Sequence, residues 1–199
     1  NETTDLLLKK EFDICREQQI PHRLFAKYGL DQVVPFKHEA MNDWRDSLRK
    51  GLMVRYDDSN IILSGGVDDI WFDTQTEELI VVDYKSQASN YEVNPSSYLS
   101  SPYHEAYKIQ MDFYNYLLNV MGFKTGLISY FIVVNADRHA EGVHGGMKFS
   151  ETLIPYKHDI SWIDHEVNNM IDCLNSDKLP ESHLSCENCA YAKQRKNYE

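Results

Sequence analysis

Leu6, Leu7, Phe12 and Cys15 recur at roughly helical spacing over residues 5–18, and Pro21 closes the pattern, which predicts an opening helix. A second amphipathic helix is predicted over residues 39–50, with Ala40, Met41, Trp44 and Leu48 on one stripe and Gly51 placed to end it. The period then changes. Residues 60–72 and 78–85 are rich in Ile, Val, Leu and Trp and flank the polar run Asp73-Thr74-Gln75-Thr76-Glu77, the pattern of an antiparallel hairpin. Leu79, Ile80, Val81 and Val82 are apolar on both faces of the second strand, so it should be a central strand covered on both sides.

Residues 87–103, rich in Ser, Asn, Tyr and Pro, read as a surface loop. Over residues 104–121, Ala106, Ile109, Phe113, Leu117 and Val120 form one stripe that Gly122 stops, which predicts a long helix. A buried strand over 127–134, a polar turn over 139–146, an edge strand over 147–156 ending at Pro155 and an amphipathic helix over 161–174 complete the pattern. There is no internal repeat. This order predicts the α/β class, a central mixed β-sheet flanked by helices. One domain is expected over residues 1–199, with its core at about 38–174 and a Cys-containing tail at 175–199 packing near the N-terminal helix.

The chain has 199 residues, 42% apolar, which is enough for one domain with a core. The longest apolar run is far too short to cross a bilayer and the start does not resemble a secretion signal, so a soluble cytoplasmic protein is expected, with no membrane partner. The net charge of -11 at first argues against nucleic acid, because phosphate binding rests on Lys and Arg. Its distribution weakens that objection: residues 1–55 carry net +1, and the remainder carries net -12. A phosphate-binding surface should therefore use the N-terminal segment or Lys193-Gln194-Arg195-Lys196, and an acidic cleft could engage phosphate through a divalent metal.

Candidate chemistry concentrates in Gly65-Gly66-Val67-Asp68 and Val82-Asp83-Tyr84-Lys85. If the hairpin is symmetric about Gln75 and Thr76, facing residues have numbers that sum to 151, and Asp68 lies opposite Asp83. Directly opposed residues have Cβ atoms about 5 Å apart, where like charges are destabilising. Lys85 is two residues from Asp83 and projects from the same face. Two carboxylates and an ammonium at the end of an apolar strand are costly unless a divalent cation and an anionic substrate complete the balance. A solvated strand end is the plainer alternative. Asp69 points to the other face and is expected to be a turn-side or supporting charge. Gln110 and Tyr114, four apart, share one helix face; read alone they are a solvated Gln and a packing Tyr.

Together, Gly65-x-x-Asp68, Asp83-Tyr84-Lys85 and Gln110-x-x-x-Tyr114 resemble the PD-(D/E)XK nuclease superfamily, specifically its RecB-like branch, over roughly residues 38–134. The resemblance implies a restriction-endonuclease-like core in which Asp68, Asp83 and the Tyr84 backbone carbonyl hold Mg²⁺ or Mn²⁺. Lys85 would orient or activate the attacking water and stabilise transition-state charge. Gln110 and Tyr114 would position the nucleic-acid strand or support the lysine. The branch also places an acidic residue or His on a helix before the hairpin, a place that falls on His38, with Glu39 second. Part of the branch, including CRISPR-associated and helicase-linked exonucleases, binds an iron–sulfur cluster through one early Cys and three late ones. Cys15, Cys186 and Cys189 fit the first three places and Arg195 stands at the fourth. The expectation is therefore no cluster, with the tail closing by packing. Cys173 matches no family position, and zinc on the Cys pair with His22 or His183 is another use of these residues.

The function expected from these residues is that of a metal-dependent deoxyribonuclease, stand-alone or part of a repair, phage or defence assembly. The other reading is an inactive nuclease-fold module that binds nucleic acid or a protein; it would be expected to lose Asp68, Asp83 or Lys85, and all three are present. A Ser-His-Asp hydrolase is disfavoured by the lack of a G-x-S-x-G elbow, and a P-loop is absent.

Overall fold

The apolar run at residues 79–82 does lie in the central strand of a five-stranded mixed sheet. The structure, a computed structural model, describes residues 2–196. They fall into two compact units, one ending at Ile160 and one beginning at Ser161. In the first unit the strands are β1 (Val33–Pro35), β2 (Leu52–Arg55), β3 (Ile62–Gly65), β4 (Asp69–Asp73), β5 (Glu78–Gln87), β6 (Ile128–Ala136) and β7 (Phe149–Lys157). Its helices are α1 (Glu2–Gln18), α2 (Met41–Trp44), α3 (Pro95–Ser100) and α4 (Glu105–Val120). The main sheet runs β1-β4-β5-β6-β7, with β5 and β6 parallel and the other pairs antiparallel, while β2 and β3 form a separate ribbon. The parallel pair requires a crossover, and α3 and α4 lie within it. The second unit contains α5 (Ile163–Leu174) and α6 (Glu187–Arg195). No helix among the described residues is long and apolar enough to cross a membrane.

Leu8 and Phe12 of α1 pack with Val33, Trp71, Ile80, Val82, Tyr84, Ile132, Val134 and Leu153 in one buried cluster. Phe12 stacks on Trp71 at 5.4 Å between ring centroids. Each fully buried large apolar side chain here stabilises the fold by about 1.5–3 kcal/mol relative to exposure. Because the even-numbered residues of β5 join this cluster, alternation leaves Val81, Asp83 and Lys85 on the opposite face, against which α4 packs.

The hairpin register is as the sequence predicts: Asp69 faces Val82, Ile70 faces Val81 and Asp73 faces Glu78. Other boundaries differ, each for a physical reason. The helix expected over 39–50 stops at Trp44, because the Trp44 carbonyl accepts the Val67 N–H at 3.1 Å instead of an intrahelical donor. The strand expected over 60–72 is two strands, broken at Gly66. A Cβ there would lie 2.4 Å from Ser47 Cβ and 2.6 Å from Ser47 Cα, so only glycine lets the chain pass Ser47 from the ribbon into the main sheet.

The segment 87–103 is not all loop: Pro95 opens α3 and Asn94 caps it, accepting the Ser96 N–H at 3.0 Å. Pro155 lies inside β7 rather than ending it, tolerated because β7 is an edge strand. Both helix stripes are rotated from expectation. In α1 the buried residues are Leu8, Phe12 and Arg16, with Leu6 and Leu7 exposed. In α4 they include Met111, Tyr114, Leu117 and Leu118, with Ile109 and Val120 exposed. Paired polar groups on the inward faces cause the error, since apolar periodicity does not register a buried Arg16 or Asp112.

Candidate active site

Asp83 and Lys85 leave the same face of β5, and their side chains form an ion pair. Asp83 is 1% exposed, and its Oδ2 meets the Lys85 ammonium without accepting a well-directed hydrogen bond. Asp68 lies one residue before β4, just past the last strand pair of Asp69 with Val82, and its side chain is close enough to Asp83 to act on its charge. Its Oδ2 accepts the Tyr84 N–H at 2.8 Å, and its Oδ1 lies 3.6 Å from Lys9 Nζ of α1. The Asp83 carboxyl is pushed up to about 7: burial is the main cause, Lys85 works against it, and the neighbouring Asp68 raises it further.

Helix α4 covers this charge cluster with one face. Gln110 donates to the Tyr114 hydroxyl at 2.6 Å. The Tyr114 ring lies over Gly65, where a Cβ would come within 2.7 Å of Tyr114 Cε1. Burial, with the Asp83 and Asp68 charges adding to it and the Gln110 bond opposing it, pushes the Tyr114 phenol up to about 12.

Tyr107, three residues before Gln110, presents its ring to Lys85 Nζ at 4.3 Å from the centroid. Its ring stacks on His104 at 5.2 Å, and His104 packs on Tyr98 at 3.9 Å. Sequence reasoning missed this column. The signal was there in part, since Tyr107, Gln110 and Tyr114 recur at helical spacing.

Asp69 is the supporting charge of the two expected uses, not a turn-side one. It does point to the other face, but it is fully buried and binds Arg16, Arg45 at 3.0 Å and the Tyr84 hydroxyl at 2.7 Å. Arg16 and Arg45 also reach Asp13, at 3.2 and 2.8 Å. Burial opposes the Arg45 charge, yet Asp69 and Asp13 hold its guanidinium above the ordinary value. Arg45 Nε donates to the Asp68 carbonyl at 3.1 Å, so the network fixes the backbone that carries Asp68. Nothing in the sequence pattern marks Arg16 or Arg45 as its partners.

His38 does not join Asp68 and Asp83 in a ligand set. Its ring stacks on Trp44 at 4.4 Å, packs near Phe36 and Phe123, and its Nδ1 accepts the Ala40 N–H at 3.1 Å. Glu39 is exposed. Among the described residues, no group of three or more His, Cys, Asp or Glu side chains is set to hold a metal. His22 is not available to zinc: it is buried against Phe12, its Nε2 lies 3.1 Å from Glu11 Oε2 and its Nδ1 accepts the Leu24 N–H at 3.3 Å. Cys15 lies on α1, where burial and Glu11 raise its thiol pKa. In the second unit Cys186 caps α6, its Sγ accepting the Cys189 N–H at 3.4 Å, and His183 Nδ1 lies 2.8 Å from Ser185 Oγ.

The donor set fits a hard divalent cation. The Asp68 and Asp83 carboxylates converge beside Lys85, and burial together with the neighbouring Asp68 raises the Asp83 carboxyl, so an added positive charge there would be favourable. Mg²⁺ ordinarily needs only one or two carboxylates and keeps several waters. The sequence profile of the PD-(D/E)XK nuclease superfamily matches residues 5–194. No curated protein and no solved structure matches the chain.

Proposed function

The chain belongs to the PD-(D/E)XK nuclease superfamily, and we propose that it is a RecB-like, divalent-metal-dependent deoxyribonuclease acting at Asp68, Asp83 and Lys85. The observation that carries this reading is the convergence of the Asp68, Asp83 and Lys85 side chains at the end of the hairpin. Asp68, Asp83 and the Tyr84 carbonyl would hold Mg²⁺ or Mn²⁺, which when bound supplies a water of lowered pKa and neutralises phosphate charge.

The chain's own residues supply the rest. Lys85, 19% exposed on its side chain, reaches the site from between Asp83 and Tyr107, where its ammonium can orient the attacking water and stabilise negative charge at the scissile phosphate. Tyr107 and Asp83 restrict where that ammonium can sit. Tyr114 is kept protonated by burial and bonded by Gln110, so this pair offers a fixed polar edge beside the acids for positioning a strand. The Tyr84 N–H and Arg45 hold the Asp68 side chain and carbonyl, respectively.

The test is incubation of the pure protein with labelled single- and double-stranded DNA and RNA, with and without Mn²⁺, beside Asp83→Ala and Asp68→Ala. Metal-dependent DNA cleavage that both substitutions abolish is the expected result. Binding without cleavage under every condition would leave an inactive nuclease-fold module, and preferential RNA cleavage would move the substrate class.

A further inference from the structure

The side of the site formed by α1 carries a charge that neither the motif pattern nor the proposed mechanism uses. Lys9 Nζ donates to Asp5 Oδ2 at 3.0 Å, one helical turn back, and also lies 3.6 Å from Asp68 Oδ1. A partly exposed i,i+4 pair alone would contribute under about 1 kcal/mol and mean nothing further. The second carboxylate changes its significance. Asp68 Oδ2 already accepts the Tyr84 N–H, so Lys9 covers the other oxygen of a residue that neighbours the buried Asp83.

We propose that Lys9 is a substrate-binding residue of this centre: it covers Asp68 in the metal-free chain and moves to a phosphate oxygen of the nucleic acid once Asp68 engages a metal. This rests on the nuclease reading. The physical reason is that an ammonium loses its attraction to an oxygen that coordinates a dication, because the two positive charges then repel across a few ångströms. Asp5 lies outside that coordination and tethers Lys9 at the rim, where the side chain is 22% exposed. A phosphodiester drawn to the metal is the anion within reach. Lys9 would thus alternate between an internal carboxylate and the substrate, and the net-basic N-terminal segment would supply one of the phosphate contacts that an acidic chain otherwise lacks.

The test uses Lys9→Gln, which keeps length and removes charge, and Lys9→Arg, which keeps charge. In calorimetric titration with Mn²⁺ alone, Lys9→Gln should bind several-fold more tightly than wild type, because the competing ammonium is gone. With Mn²⁺ saturating, its KM for a DNA oligonucleotide should rise about tenfold at low salt. The slope of log KM against log KCl should fall by about 0.7–0.9, the loss of one phosphate contact. Lys9→Arg should keep the wild-type slope. If wild type binds Mn²⁺ and cleaves while Lys9→Gln matches it in Mn²⁺ affinity or in salt slope, the Lys9 assignment falls and the nuclease reading stands. Wild type that neither binds Mn²⁺ nor cleaves overturns both.

Discussion

The Tyr84 hydroxyl donates to Asp69 Oδ2 at 2.7 Å, on the sheet face opposite the one that carries Asp83 and Lys85. The middle residue of the Asp-x-Lys triplet thus connects two carboxylates, since its N–H also holds Asp68. Asp69 in turn neutralises Arg16 and Arg45 in the interior. Asp69→Asn should cost about 3–5 kcal/mol, the scale for leaving buried charges without a partner. Tyr84→Phe removes one hydrogen bond to a carboxylate and should cost about 1.5–3 kcal/mol. Urea unfolding in chelator gives both values; an Asp69→Asn loss no larger than that of Tyr84→Phe would show that the arginines find other partners.

The parts of this arrangement that were legible in the sequence are those set by local rules. The hairpin loop fixed the register from Asp69–Val82 to Asp73–Glu78, which leaves Asp68 and Asp83 as neighbours at its end. The length and end of α4 came from its apolar content and Gly122. The parts that were not legible depend on distant partners. Asp69 and Arg16 are 53 residues apart and meet only because α1 crosses the sheet face to which Asp69 points. The early end of α2 depends on Val67 capturing the Trp44 carbonyl. Three-residue β1 is below what periodicity resolves.

Gly66 gives a sharp test of the crossing into the main sheet. A methyl group there meets the backbone and Cβ of Ser47, whereas at Gly65 it meets the edge of the Tyr114 ring. A ring can tilt more readily than a backbone can shift. Gly66→Ala should therefore destabilise by about 1–3 kcal/mol, the scale of overpacking, and Gly65→Ala by less. Gly65→Ala should instead disturb the Tyr114–Gln110 pair and lower the cleavage rate. Equal melting temperatures for Gly66→Ala and wild type would refute the close approach.

Asp83 sets a pH dependence in the metal-free chain. Its carboxyl is raised from an ordinary value near 4 to about 7 in the folded state. Between these values the native chain holds a proton that the unfolded chain releases, so stability falls as pH rises through that window and levels off above it. Asp83→Asn removes this contribution. With chelator present, the difference in urea midpoint between the variant and wild type should shift in the variant's favour from pH 4.5 to pH 7.5. A constant difference would mean that Asp83 titrates normally.

Tyr107 should act on the rate through Lys85. Its ring lies 4.3 Å from the Lys85 ammonium and is backed on its own side by the His104 stack, so it limits the positions that the cation can take. Tyr107→Phe keeps the ring and should retain cleavage within about twofold, because attraction to the ring face does not need the hydroxyl. Tyr107→Leu fills similar space without the ring. Losing a partly desolvated cation–π contact of about 1–2 kcal/mol should lower kcat by roughly 5- to 30-fold. KM should change little, since the ammonium acts mainly on transition-state charge. Melting temperature need not fall in step, as the ring is only half-buried. Steady-state kinetics on the three proteins decides the matter: if Phe and Leu lower kcat equally, the hydroxyl matters and the ring does not position Lys85.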